Sequence, residues 1–208
     1  RPPDIGGWFH GEWWSNLWDN FAFPVAPPEA DVDIAGRWTE PRLSENFIGA
    51  DARQARIRDT EFDRVRTVIF TRPHFTHGLK VDATRHQGAQ TLAGTFIRRA
   101  DPFEHQSWEV EFDLTSSLDR EAMEKLTHGS ATPILDDWRF TRPPRLKYAG
   151  RWRQQPEGGR FDLSFTGHAD GGLRYHGFPL DSVDATGRLA GRDLRLDRIS
   201  FVAAGGRG

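Results

Sequence analysis

The chain has no cysteine, which excludes disulfides, thiolate nucleophiles and cysteine-based metal centres. It has no run of about 18 apolar residues, so no segment reads as a membrane-spanning helix. It has no surplus of positive charge. Lys and Arg number 28 against 30 Asp and Glu, a formal net charge of −2. That leaves no basic footprint for nucleic acid and no polybasic cluster for docking on anionic lipid. A nucleophile-elbow serine, a phosphate-binding loop and a dinucleotide glycine fingerprint are all missing. Gly205-Gly206 follows a strand-like run, but no helix comes after it. The sequence begins Arg1-Pro2-Pro3 rather than with Met and ends at Gly205-Gly206-Arg207-Gly208. It reads as a piece of a larger protein, with any signal peptide or anchor outside it.

What is there is a foldable chain. Of 208 residues, 37% are hydrophobic, 12% aromatic and 28% charged, with both signs mixed. Global disorder is not expected of such a composition, and the length suits one large or two small domains.

The chain repeats itself. Ala35-Gly36-Arg37-Trp38 recurs as Ala149-Gly150-Arg151-Trp152, 114 residues on (149 − 35). A double proline precedes each copy, Pro27-Pro28 and Pro143-Pro144. Before each lies an aromatic pair, Phe21-Ala22-Phe23 and Trp138-Arg139-Phe140. Downstream, Phe47-Ile48-Gly49 aligns with Phe165-Thr166-Gly167, and Phe62-Asp63-Arg64-Val65 with Leu180-Asp181-Ser182-Val183. Gly78-Leu79-Lys80-Val81-Asp82 aligns loosely with Arg195-Leu196-Asp197-Arg198. Ordered matches of this kind mark duplication of a structural unit.

Within the copies, side chains alternate with a period of two, the signature of strands with one apolar and one polar face. Val32, Ile34, Gly36 and Trp38 share a parity. Trp108, Val110, Phe112 and Leu114 alternate with Glu109, Glu111 and Asp113. Leu146, Tyr148, Gly150 and Trp152 form a third such set, and Phe161, Leu163 and Phe165 a fourth. Leu194 and Leu196 differ in parity from Ile199, Phe201 and Ala203, which predicts a bulge near Asp197-Arg198. Antiparallel connection is expected, because helical crossovers of adequate length are scarce. Gly158-Gly159 and Gly171-Gly172 read as tight turns. One helix is predicted from Leu118 to about Leu126, capped by Ser116, Ser117 or Asp119 and ended by Gly129. A second is placed from Trp13 to Phe21 by Trp14, Leu17, Trp18 and Phe21 at helical spacing.

Other constellations are less specific. Trp8, Trp13, Trp14 and Trp18 cluster near the start, as an interface anchor, a sugar-stacking platform or a packed lid. His74 and His77 are three apart, but Pro73 places them in a loop or strand, so no metal site is assigned. His105, His168 and His176 are scattered. Glu104, Glu109, Glu111, Asp113, Asp136 and Asp137 supply carboxylates, and a glycosidase needs two facing each other across a cleft. Those that alternate with apolar residues fall instead on a solvated face. No catalytic residue and no cofactor is expected.

Three stretches give a family resemblance. Leu180 to Gly187, then Leu194 to Ile199, then Gly205-Gly206 forms a strand–turn–strand ending in a glycine pair. Phe112-Asp113-Leu114-Thr115-Ser116-Ser117-Leu118-Asp119 leads into a short helix. Phe140 to Trp152 runs through the double proline. In these the chain resembles the AsmA-like proteins, the group that includes TamB and the repeating β-groove lipid-transfer proteins. The tryptophan-rich start departs from that pattern. The resemblance implies a taco-shaped sheet with a hydrophobic lining, exposed to the periplasm as part of an inner-membrane-anchored protein. It also implies non-enzymatic phospholipid transport in outer-membrane biogenesis. The partners implied are phospholipid or another envelope lipid and flanking repeats of the parent chain.

The expected fold is therefore mainly β: a curved antiparallel sheet built from two repeats, with one or two short helices. The divisions expected are 1–26, the tryptophan-rich segment; 27–92, the first repeat; 93–131, connecting strands and the short helix; and 132–208, the second repeat. The positions expected to line a lipid groove are Val32, Ile34, Trp38, Trp108, Val110, Phe112, Leu146, Tyr148, Trp152, Phe161, Leu163 and Phe165. The rival readings are a carbohydrate-binding or carbohydrate-cleaving β-sandwich and an envelope scaffold with a sealed core.

Overall fold

A computed structural model describes residues 20–37, 39–101, 107–127, 132–156, 158–191, 193–203 and 206–207. The strands are β1 (Phe21–Ala22), β2 (Glu29–Arg37), β3 (Glu40–Ile57), β4 (Thr60–Arg72), β5 (Phe75–Arg85), β6 (Gln90–Ala100) and β7 (Trp108–Ser116). Helices α1 (Arg120–Leu126) and α2 (Thr132–Leu135) follow. Then come β8 (Trp138–Phe140), β9 (Arg145–Gln155), β10 (Gly158–Tyr175), β11 (Phe178–Ala190), β12 (Asp193–Ala203) and β13 (Gly206–Arg207).

All of these strands join one antiparallel sheet, which is curved and does not close. Its order is mostly that of the sequence, hairpin after hairpin, with β9 laid against β7 once the helices have been passed. Such local connections follow from strands that are each apolar on one side only. The β3–β4 hairpin turns through Arg58 and Asp59, with φ of 46° and 62°; the β10–β11 hairpin turns through His176 and Gly177, with φ of 47° and 83°. Two successive left-handed residues give the turn whose twist matches the flanking strands.

The two segments of the sequence repeat take the same form. β3, β4 and β5 have 18, 13 and 11 residues, and so do β10, β11 and β12. Their starts differ by a constant 118 (158 − 40, 178 − 60, 193 − 75). The register slips between Val68 and Ile69 in the first segment and between Thr186 and Gly187 in the second, again 118 apart. The residues left over are Leu79 and Asp197, so the bulge predicted near Asp197-Arg198 is present and has a twin.

Each segment also builds its own small core. Ala52, Ala55, Phe62 and Val65 lie in one; Ala169, Leu173, Leu180 and Val183 form the other. The first is roofed by Ala122 of α1 and by Leu118 just before it, and is touched by Phe23. The second is touched by Trp138 and Phe140 of β8. Thus aromatics ahead of each double proline, Phe23 in the first segment and Trp138 and Phe140 in the second, reach the core of their own segment.

Several sequence readings need correction. Gly171-Gly172 is not a turn. Both glycines are left-handed, at φ of 75° and 94°, and they break the β10 register between Asp170 and Leu173. Two adjacent glycines can insert a bulge within a strand as well as end it. Gly158 opens β10, and the turn lies just before it. Phe47 is not the positional twin of Phe165, because their side chains fall on opposite faces (below). The α1 helix begins at Arg120, with Asp119 as its cap; Gly129 lies outside the described residues. So does the tryptophan-rich segment up to residue 19, while Phe21 belongs to β1 rather than to a helix.

Candidate functional site: the inner face of the sheet

Residues paired across an antiparallel ladder point to the same side, so register fixes the two faces. Through the middle of the sheet one cross-strand row runs without a break. It passes from Val32 to Ile48, Ile69, Gly78 and Phe96. It continues to Phe112, Gly150, Leu163, Leu189 and Leu194. With about 4.8 Å between neighbouring strands, the nine steps span roughly 43 Å.

Rows on either side of it are also apolar. One holds Leu114, Tyr148 and Phe165; the other holds Val110, Trp152 and Phe161. Of the positions expected to line a groove, Val32, Ile34, Trp108, Val110, Phe112, Leu146, Tyr148, Trp152, Phe161, Leu163 and Phe165 all share this face. Trp38 lies outside the described residues. None of the eleven is fully buried, and Val32 and Ile34 on β2 are 45% and 48% exposed.

The inner face is crowded where glycine allows it. A Cβ on Gly78 would strike the Phe96 ring, and one on Gly187 would come within 2.9 Å of the Phe165 ring. In both pairs the aromatic sits directly across the ladder from its glycine. A Cβ on Gly159 would overlap Trp152. On the opposite face, a Cβ on Gly49 would meet nothing within 4 Å. Rings laid over glycines let neighbouring strands bend toward the apolar side. Aromatic contacts continue along that side: Trp108 with Trp152 at 6.4 Å, Trp152 with Phe161 at 4.0 Å and Phe112 with Tyr148 at 6.0 Å between centroids. Burial pushes the Tyr148 phenol above its ordinary pKa, with a hydrogen bond to Ser116 pulling the other way.

The two small cores occupy the same end of the strands, and α1 covers the first. Among the described residues, α1 packs mainly on β4 and α2 on β8, away from the row from Phe96 to Leu163.

The outer face is largely an ion-pair lattice. Arg153 reaches Glu109 at 2.6 Å, Arg151 reaches Glu111 at 2.9 Å and Arg99 reaches Glu111 at 3.0 Å. Arg99 first, and then Arg151, hold the Glu111 carboxyl below its ordinary pKa. Glu109 and Glu111 are therefore turned away from the aromatic side and paired with arginines; Asp113 shares their face, and Glu104 lies outside the described residues. Among the described residues no cluster of three His, Asp or Glu could hold a metal; His77 sits mid-strand and His74 in a turn.

The outer face is not uniformly charged, however. Phe47, Phe70, His77 and Ile97 form a row on it, beside Phe75. Sequence alternation missed this strip because it tracks parity within a strand and not which side that parity faces. The cross-strand pairing of aromatics with glycines was likewise invisible, since it depends on register.

Compared with protein-family models, curated proteins and solved structures, the chain matches none of them. The resemblance to AsmA-like proteins rests on its motifs alone.

Proposed function

We propose that this sheet is a non-enzymatic lipid-binding module whose inner face holds acyl chains. The observation that supports it most is the continuous apolar row from Val32 to Leu194, half-buried through its middle and, among the described residues, away from the main packing of both helices over the central strands. Soluble proteins seldom leave so long an apolar track open unless something occupies it. Each methylene taken from water contributes about 0.8 kcal/mol. A chain of about 16 carbons would prefer the track to water by roughly 10 kcal/mol. Relative to a bilayer the difference is near zero, because both surroundings are apolar. A level profile of that kind suits transfer, with lipid entering and leaving freely. The motif resemblance extends the proposal to a periplasmic setting, within an inner-membrane-anchored AsmA-like protein that moves phospholipid.

The two roofed cores favour the rival reading of a sealed scaffold, and one experiment separates the two. The chain is incubated with vesicles of phosphatidylethanolamine and phosphatidylglycerol, re-isolated, and weighed by native mass spectrometry. Bound phospholipid is expected on the native protein. Phe112→Asp places a charge at the centre of the row and is expected to lose most of that lipid while keeping its circular dichroism. Lipid-free native protein, or undiminished lipid on a folded Phe112→Asp, would contradict the proposal and favour the scaffold.

A further inference from the structure

The inner face excludes charge almost completely. Across β5 to β10, two of its described side chains are charged, Arg85 and Arg98. Arg85 lies under α1 and reaches Asp119 at 3.5 Å. Arg98 is different. It pairs across the ladder with Thr76 on one side and Val110 on the other, so it points into the apolar track. It is half-buried, and burial lowers the pKa of its guanidinium. Among the described residues no carboxylate pairs with it. Its guanidinium instead lies over the Trp108 ring, 5.7 Å from the centroid.

A second unmet donor lies one ring away. Trp152 stacks on Trp108 at 6.4 Å, and among the described residues its buried indole N–H meets no acceptor. Trp152 also faces Val110 from the side opposite Arg98. Both groups sit toward the margin remote from the cores. An unpaired cation and an unpaired N–H in an apolar surface each cost free energy that an acceptor would recover. Trp108 and Val110 offer no acceptor.

We propose that Arg98, beside Trp108, is a head-group site for an anionic amphiphile, taking its carboxylate or phosphate oxygens while the hydrocarbon chain runs along the inner face. This rests on the acyl-chain reading above and adds the class of head group. A planar guanidinium bonds such oxygens in pairs, and the ring beneath it fixes its plane. A neutral amphiphile of equal chain length gains the apolar contact without the ion pair.

Oleate and oleyl alcohol differ only at the head group and make the matched test. Binding of each to the full chain is followed by tryptophan fluorescence below the critical micelle concentration. Oleate is expected to bind roughly tenfold tighter or more, the factor that about 1.4 kcal/mol supplies. Arg98→Leu is expected to erase the preference while leaving the alcohol's affinity within about threefold, a change of under 1 kcal/mol. Arg98→Lys is expected to keep part of the preference. If Arg98→Leu does not fold, Arg98→Gln takes its place.

A preference that survives folded Arg98→Leu overturns the head-group site and leaves the acyl track standing. Equal loss of both ligands in a folded variant overturns it as well, since Arg98 would then act through shape. If neither ligand binds the native chain, the acyl track itself fails and the site with it.

Discussion

Gly94 and Gly49 show what the inner face demands of single residues. Gly94 has a φ of 146°, and a Cβ there would collide with the backbone of Asp113 and Leu114. Gly49 lies on the outer face with open space around it. Gly94→Ala is therefore expected to destabilise by about 1–3 kcal/mol. Gly49→Ala should be neutral, or stabilising by about 0.4–1 kcal/mol through the unfolded chain. Urea midpoints of the two variants check this; equal midpoints would remove the case for strain at Gly94. His168 supplies a pH-dependent counterpart on the outer face. Hydrogen bonds to Asp184, at 2.7 Å, and to Asp170, at 3.2 Å, raise its pKa above 6.5. A raised folded value means that the stabilisation is complete below the unfolded pKa and is lost as pH climbs through the folded one. The pair is partly exposed, so its worth is about 0.2–1 kcal/mol. His168→Gln should lose less stability than the native chain between pH 5.5 and pH 8.5. A difference of the opposite sign would rule out the imidazolium as the cause.

Among the elements, α1 is the clearest case of tertiary support for a marginal segment. Seven residues are too few to hold a helix alone. Asp119 caps it, accepting from the Ala122 N–H at 2.9 Å and from the Gln90 amide at 2.9 Å. Arg58 donates to the Leu126 carbonyl at its far end, at 2.8 Å. Asp119→Ala should cost about 1–2 kcal/mol, and faster amide exchange over Arg120–Leu126 would localise the loss. An unchanged exchange pattern would place the helix's support elsewhere. This element was legible in the sequence because the cap residue and the four-residue spacing of Leu118, Ala122 and Leu126 are local signals. The strands were legible for the same reason, since Trp108 to Leu114 states its own two faces. The duplication was visible in Ala35 to Trp38 and Ala149 to Trp152, but its true spacing was not. Gly171-Gly172 put one extra residue into β10 against β11, whereas β3 against β4 has no such slip. Past a bulge, parity no longer reports the face. That is why Phe47 was matched to Phe165 when Ile48 takes the equivalent inward place, and why the strip of Phe47, Phe70 and Ile97 went unseen.

At the scale of the molecule the chain is a curved, unclosed sheet with two faces of opposite character. The duplicated segments set the length of the track, the paired glycines and rings bend it, and the cores under α1 and β8 close one margin. The open ends differ from the middle. On β12, Leu194, Leu196 and Ile199 are 45–47% exposed. Their counterparts Thr76, Gly78 and Val81 on β5 are buried or half-buried, because β6 lies beside β5 and only the two residues of β13 lie beside β12. The most direct test of the central claim uses neighbours in the chain that face opposite ways. A photoreactive benzophenone side chain is placed at Phe112 on the inner face or at Glu111 on the outer, and the protein is irradiated with phospholipid vesicles. Lipid adducts at 112 with few or none at 111 are the predicted result; equal yields at both positions, or a higher yield at 111, would contradict it.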